Sequence, residues 1–128
     1  MALTRASVEN VIVAITIGAV AEAMKLAEAA GCDPALFRQA LKGGFANSRI
    51  LDLHGARMAE RNFTPGGRSV VQLKDLRNAL GFAGEKGLTL PMGQAVTGAF
   101  TDLVECRDGG ELDHSGYYLW LEMINEKG

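Results

Sequence analysis

The stretch Val8–Ala30, VENVIVAITIGAVAEAMKLAEAA, constrains this chain more than any other. Its middle, Val11 to Ala21, carries no charge and almost no polarity. A helix that is apolar all round is normally buried on most sides. Helical throughout, the stretch would be about 35 Å long at 1.5 Å per residue, enough to span a domain. The uncharged run is shorter than the roughly 20 apolar residues of a membrane span. Its expected place is therefore the centre of a soluble all-α bundle, with no membrane partner. Gly31 follows where a left-handed residue ends a helix.

The flanking sequence reads as more helices. Residues 1–7 read as a frayed lead-in, with Thr4 or Ser7 as cap. Asp33-Pro34 starts a second helix, Pro34–Lys42, with Leu36, Phe37, Ala40 and Leu41 on one face and Gly43-Gly44 as its end. Asn47 or Ser48 caps a third, Arg49–Arg61, with Ile50, Leu53, the Arg57 stem and Met58 as its apolar set. The segment Asn62–Gly67 is a turn, by its proline and paired glycines. A fourth helix, Ser69–Lys86, repeats Val70, Leu73, Leu76, Leu80 and Ala83 at three- and four-residue steps, and Gly87 closes it. Pro91 opens a fifth, to about Arg107. Asp113 caps a last helix, His114–Glu126. No segment alternates as a strand does. With 128 residues, 48% of them hydrophobic, a single all-α domain over 1–128 is expected.

Charge excludes more than it suggests. A net charge of −2 with scattered Lys and Arg gives no nucleic-acid surface. Cys32 and Cys106 form neither a disulfide framework nor a metal knuckle. The N-terminus lacks a secretory leader, so a cytoplasmic location is expected. His54 and His114 have no carboxylate or cysteine at metal-ligand spacing and read as surface or capping residues, so no metal is expected. Tyr117, Tyr118 and Trp120 cannot all face one core from neighbouring positions, so at least one is expected to be exposed or in a subunit contact. Ser115 has no base arranged to activate it. By spacing alone, Glu9 and Asn10 are first-turn polarity, and Lys74 and Asp75 a solvated pair.

The motifs GAVAEAMKLAEAAG, DPALFRQAL, GGFANSRILDLHG, FTPGG, QLKDLRNAL, LTLP and DHS occur in this order. With them the chain, from about Val8 to Trp120, resembles the C-terminal helical domain of the β-hydroxyacid dehydrogenases. The likeness is to the tartronate semialdehyde reductase (2-hydroxy-3-oxopropionate reductase) branch, with 3-hydroxyisobutyrate dehydrogenase a near relative. It implies a helical bundle around the long first helix, like the 6-phosphogluconate dehydrogenase C-terminal domain. It also implies a two-domain NAD- or NADP-dependent enzyme whose dinucleotide-binding half is absent here. No strand followed by G-x-G-x-x-G is present, so the isolated chain is expected to hold no cofactor.

The resemblance also assigns positions. The family's catalytic lysine opens a K-x-x-N-[NQ] pattern on the first helix, which here reads Ala6, Glu9, Asn10. Only Asn10, a remnant of substrate binding, survives, so no catalytic residue is expected in this chain. Lys74 and Asp75 match the residues that approach the nicotinamide, and using them would need a partner domain. The usual F-x-P-G-F turn ends here in Gly67 in place of an aromatic. A homodimer is implied, through the long first and aromatic last helices. Three functions follow: a non-catalytic dimerising or ligand-binding module, the helical subunit of a split dehydrogenase with a separate dinucleotide-binding chain, or a plain protein-interaction module.

Overall fold

A computed structural model describes residues 3–126. Met1 and Ala2 of the expected lead-in lie outside them. The described residues are all-α and form six helices: α1 Arg5–Ala29, α2 Pro34–Leu41, α3 Arg49–Glu60, α4 Ser69–Glu85, α5 Pro91–Thr101 and α6 Tyr117–Asn125. A π-helical segment, Asp102–Cys106, prolongs α5, and a 3-10 turn, His114–Gly116, leads into α6. The expected Pro91–Arg107 helix is thus α-helical only in its first part.

Local chemistry sets most ends. Thr4 Oγ1 accepts from the Ser7 amide and starts α1 three residues before the predicted Val8. Asp33 and Ser48 cap α2 and α3 in the same way. After α1, Cys32 N donates to Ala27 O and Gly31 N to Glu28 O, with Gly31 at φ +91°. That is the paired-bond glycine stop, and Gly87 repeats it after α4. At the end of α3, Arg61 itself adopts the left-handed conformation.

Helix α1 packs against all five other helices. Ala14, Ile17, Ala21 and Met24 are its buried line. It is not buried on most sides, however: Val8, Ile12 and Leu26 lie exposed on the opposite side. Uniform apolarity names no face, so the neighbours choose it. Taken over 18 residues, α1 has a mean hydropathy of 1.6 and passes, by length and composition, the test for a membrane span that its uncharged middle alone fails. Its packing is that of a bundle's core helix.

Other faces also rotate from expectation. In α2, Phe37 and Leu41 turn inward, while Leu36 and Ala40 are exposed. In α3 the buried line is Leu51, His54 and Met58, with Leu53 exposed. In α4, Val70 is exposed and Ser69, Gln72 and Ala79 are buried. In α6, Tyr117 and Tyr118 are both buried and Trp120 is half-buried, so of the two expected alternatives, exposure or a subunit contact, full exposure holds for none of the three. Two covers explain it. Tyr117 packs on Phe100 and Trp120, and Tyr118 on Phe63, with the Lys25 ammonium over its ring. Glu122 then joins α6 to α1 and α3, through Lys25 and a two-toothed pair with Arg61.

Candidate functional site

The turn at residues 62–67 and the segment 110–114 are zipped together. Asp113 N donates to Phe63 O, His114 N to Gly67 O and Ser69 N to Leu112 O, around an antiparallel bridge between Arg68 and Asp113. This zipper carries the DHS motif to the start of α4, beside α3 and the N-terminal half of α1. A chain of polar contacts runs from there to the first turns of α1.

At the α1 end, Asn10 Nδ2 donates to Asp75 Oδ2 at 2.6 Å. Gln72 Nε2 donates to the Asn10 carbonyl at 2.8 Å. The Gln72 amide oxygen therefore faces His114, whose Nδ1 lies 3.1 Å away and must carry the proton. The His114 ring meets His54 edge to face, with centroids 4.6 Å apart. His54 Nδ1 lies 3.6 Å from Asp113 Oδ2, without a hydrogen-bond partner.

Asp113 is wholly buried and held from every side. One oxygen accepts from the Gly66 and Gly67 amides, the other from the Ser115 amide and hydroxyl. Arg57 Nη1 stands 3.3 Å from the first oxygen. Burial pushes the Asp113 carboxyl up, but the Ser115 hydroxyl and the Gly67, Ser115 and Gly66 amides outweigh it and hold the group below its ordinary value. A Cβ on Gly67 would meet the His114 ring at 3.5 Å, an ordinary packing contact.

Both histidines differ from the sequence reading. His54 is buried and His114 half-buried, and the fold supplies the carboxylate that spacing did not. Their ligand atoms and that of Asp113 lie within 4.8 Å of one another. The cluster is nevertheless poor for a cation. The Asp113 oxygens already accept four hydrogen bonds, and the Arg57 charge lies beside them.

Burial first, and the neighbouring His114 second, push His54 down to about 4, against the upward pull of Asp113. Burial also lowers His114. A histidine held neutral in the fold contributes stability that is complete above its unfolded value of about 6.5 and is lost as pH falls from there toward its folded value. Urea unfolding at pH 7 and pH 4.5 is expected to differ by on the order of 2–3 kcal/mol, with His54→Gln removing much of the difference. Equal stability of the parent at both values would contradict the burial argument.

The sequence-derived positions divide. Asn10 and Asp75 are brought into direct contact. Lys74 is exposed on α4 beside them, and Ala6 and Glu9 are exposed on the first turns of α1. Gln72, which links Asn10 to the DHS turn, was not singled out by sequence. Its place three residues before Asp75, on one helix face, was the available clue.

The family model described as "NAD-binding of NADP-dependent 3-hydroxyisobutyrate dehydrogenase" matches residues 6–121. The chain is 44% identical over 115 residues to 2-hydroxy-3-oxopropionate reductase of Escherichia coli K12, across 90% of this chain and 39% of that protein. It is 31% identical over 116 residues to a probable 3-hydroxyisobutyrate dehydrogenase-like protein of Arabidopsis thaliana, across 91% of this chain and 34% of that one. Among solved structures, 3-hydroxyisobutyrate dehydrogenase of Salmonella typhimurium shares the fold at a TM-score of 0.83 and 22% identity, over 88% of this chain and 39% of that one. The Mycobacterium tuberculosis enzyme does so at 0.79 and 23%, over 94% and 42%. The chain thus spans about two fifths or less of the length of these relatives. Its match over residues 6–121, with the Asn10–Asp75 contact inside it, places the chain in the family of the NAD-binding helical domain of NADP-dependent 3-hydroxyisobutyrate dehydrogenases.

Proposed function

We propose that the chain is the helical half of a hydroxyacid-dehydrogenase cleft, homodimeric and catalytically silent by itself. The observation that carries this reading is the occupant of the lysine position. Ala6 stands exposed one turn before Asn10, where a proton-transferring ammonium belongs, and Glu9 puts a carboxylate beside it. What remains is the support of such a site. Asn10 is oriented by Asp75 and braced through its backbone by Gln72, with Lys74 on the same rim. These residues suit the recognition of a small polar acid and the nicotinamide end of a cofactor. They supply no seat for a pyrophosphate, which a dinucleotide-binding domain would have to bring.

The isolated chain is accordingly expected not to bind NAD or NADP. Calorimetric titration is the test. A dissociation constant tighter than roughly 100 μM, about −5.5 kcal/mol, would overturn this reading. A second reading, the helical subunit of a split dehydrogenase, keeps the same cleft and adds a separate dinucleotide-binding chain. The intact Asn10–Asp75 contact favours it, and the loss of the lysine weighs against it.

A further inference from the structure

The polar chain between Asn10 and the DHS turn has one direction of donation, and His114 decides it. Gln72 is buried, 3% exposed, with both ends of its amide engaged. Its nitrogen donates to the Asn10 carbonyl at 2.8 Å, and its oxygen meets His114 Nδ1 at 3.1 Å. The reverse orientation would set the Gln72 oxygen against the Asn10 carbonyl oxygen, two acceptors with no proton between them. Burial lowers the His114 pKa below its ordinary value, so the ring is neutral at pH 7, with one donor and one acceptor nitrogen. The donor is Nδ1, and the turn is built to aim it. His114 N donates to Gly67 O at 2.7 Å, and Asp113 caps the 3-10 turn that begins at His114. The His54 ring packs edge to face against the imidazole. Helix α4 starts on the same turn. Arg68 gives it no side-chain cap, and instead Ser69 N donates to Leu112 O, Ser69 Oγ to Asp113 O and Val70 N to Gly110 O.

We infer that His114 is a positioning residue for Asn10: its Nδ1 proton fixes the Gln72 amide, which holds the α1 backbone where the Asn10 side chain meets Asp75. The inference deepens the reading above and rests on it for the role of Asn10 in binding a small polar acid. Helix α4 grips Asn10 twice. Gln72 takes its backbone carbonyl, and Asp75, one turn on, takes its side-chain amide. The carbonyl can accept from Gln72 because it has two lone pairs and the helix's own bond takes only one. Without the His114 donor, the Gln72 amide is free to turn over. With its oxygen toward Asn10 it pushes the two helices apart. The Asn10–Asp75 bond, which needs them close enough for 2.6 Å, then opens more often. The DHS turn thus governs a residue more than one hundred positions away in the chain through a single buried amide.

Two substitutions separate the hydrogen bond from the ring. His114→Phe keeps a ring beside His54 and removes the donor. His114→Asn removes the ring and keeps a side-chain N–H that can take the place of Nδ1. Both retain the backbone bond to Gly67 O. The readout is hydrogen exchange of the Asn10 side-chain amide, by nuclear magnetic resonance on the full chain at pH 7. The ring-nitrogen shifts of His114 in the parent report which nitrogen carries the proton. Expected are a proton on Nδ1 in the parent and Asn10 exchange in His114→Asn close to the parent's. In His114→Phe exchange should be roughly 5- to 10-fold faster, the factor that one net hydrogen bond contributes. It should quicken even if the added apolar ring raises overall stability, which a merely structural role would not produce. A parent with its proton on Nε2 overturns the inference, whether or not either variant folds. So does exchange that is unchanged in His114→Phe, or that quickens alike in both variants and so follows the ring. NAD binding by the isolated chain, the result that overturns the proposed function, leaves the Asn10 exchange result standing, so the two fail separately.

Discussion

Joined behind the part of the E. coli reductase that it does not match, this chain carrying Ala6→Lys and Glu9→Asn is expected to gain reductase activity that the unaltered fusion lacks. The positions lie three and four residues apart, so lysine, asparagine and Asn10 would share one face of α1. Asn10 is already held there by Asp75. A placed lysine typically contributes 10² to 10⁴ in rate as acid or base. Removing the Glu9 carboxylate should matter as much. At about 4 Å from an anionic substrate it costs roughly 4 kcal/mol at the effective dielectric of a protein surface. Ala6→Lys alone should therefore gain much less than the pair. Steady-state oxidation of reduced nicotinamide with 2-hydroxy-3-oxopropionate, the acid named for the E. coli relative, measures all four fusions. A folded, cofactor-binding double variant as silent as the parent would mean that the cleft has diverged beyond these two positions.

Asp113→Ala is expected to cost about 3–5 kcal/mol, the range for breaking a buried charged network. The substitution strands the Gly66 and Gly67 amides, removes the cap of the 3-10 turn and leaves Arg57 without its carboxylate. For a domain of this size a loss of that order lowers Tm by more than ~10 °C. Because the folded carboxyl is held below its ordinary value, its contribution is complete above the unfolded value of about 3.9 and is lost as pH falls through the folded one. Acid unfolding should thus proceed in two ranges, the higher from His54 and the lower from Asp113. Thermal melts of parent and variant from neutral pH down to pH 3 measure it. A variant within about 1 kcal/mol of the parent at neutral pH would show that other contacts hold the turn.

The relation between sequence and structure follows the range of the interactions. Helix ends were legible because a cap acts within three or four residues. Thr4, Asp33, Ser48, Gly31, Gly87 and Asp113 each bond to a near neighbour in the chain. The order of motifs likewise carried the family. It also marked Asn10 and Asp75, although it said nothing of their 2.6 Å contact across 65 residues of chain.

Which face each helix buries was less secure. In α3 the difference between Ile50–Leu53 and Leu51–His54–Met58 is one residue of rotation, about 100°. A short, mixed pattern does not resolve that until α1 and the DHS turn take their places. The same holds for α1, whose uniform apolarity made it the evident core helix and for that reason hid its open stripe. The histidines are the sharpest case. His54 and Asp113 are far apart in sequence, and only the zipper between residues 62–67 and 110–114 sets a carboxylate beside the imidazole. The sequence by itself determined most of the helices and their caps, because these rest on near neighbours and on residue identity. The tertiary structure decided the buried faces, the polar chain from Asn10 to Asp113 and the exposed stripe on α1, because each depends on which distant segment arrives alongside.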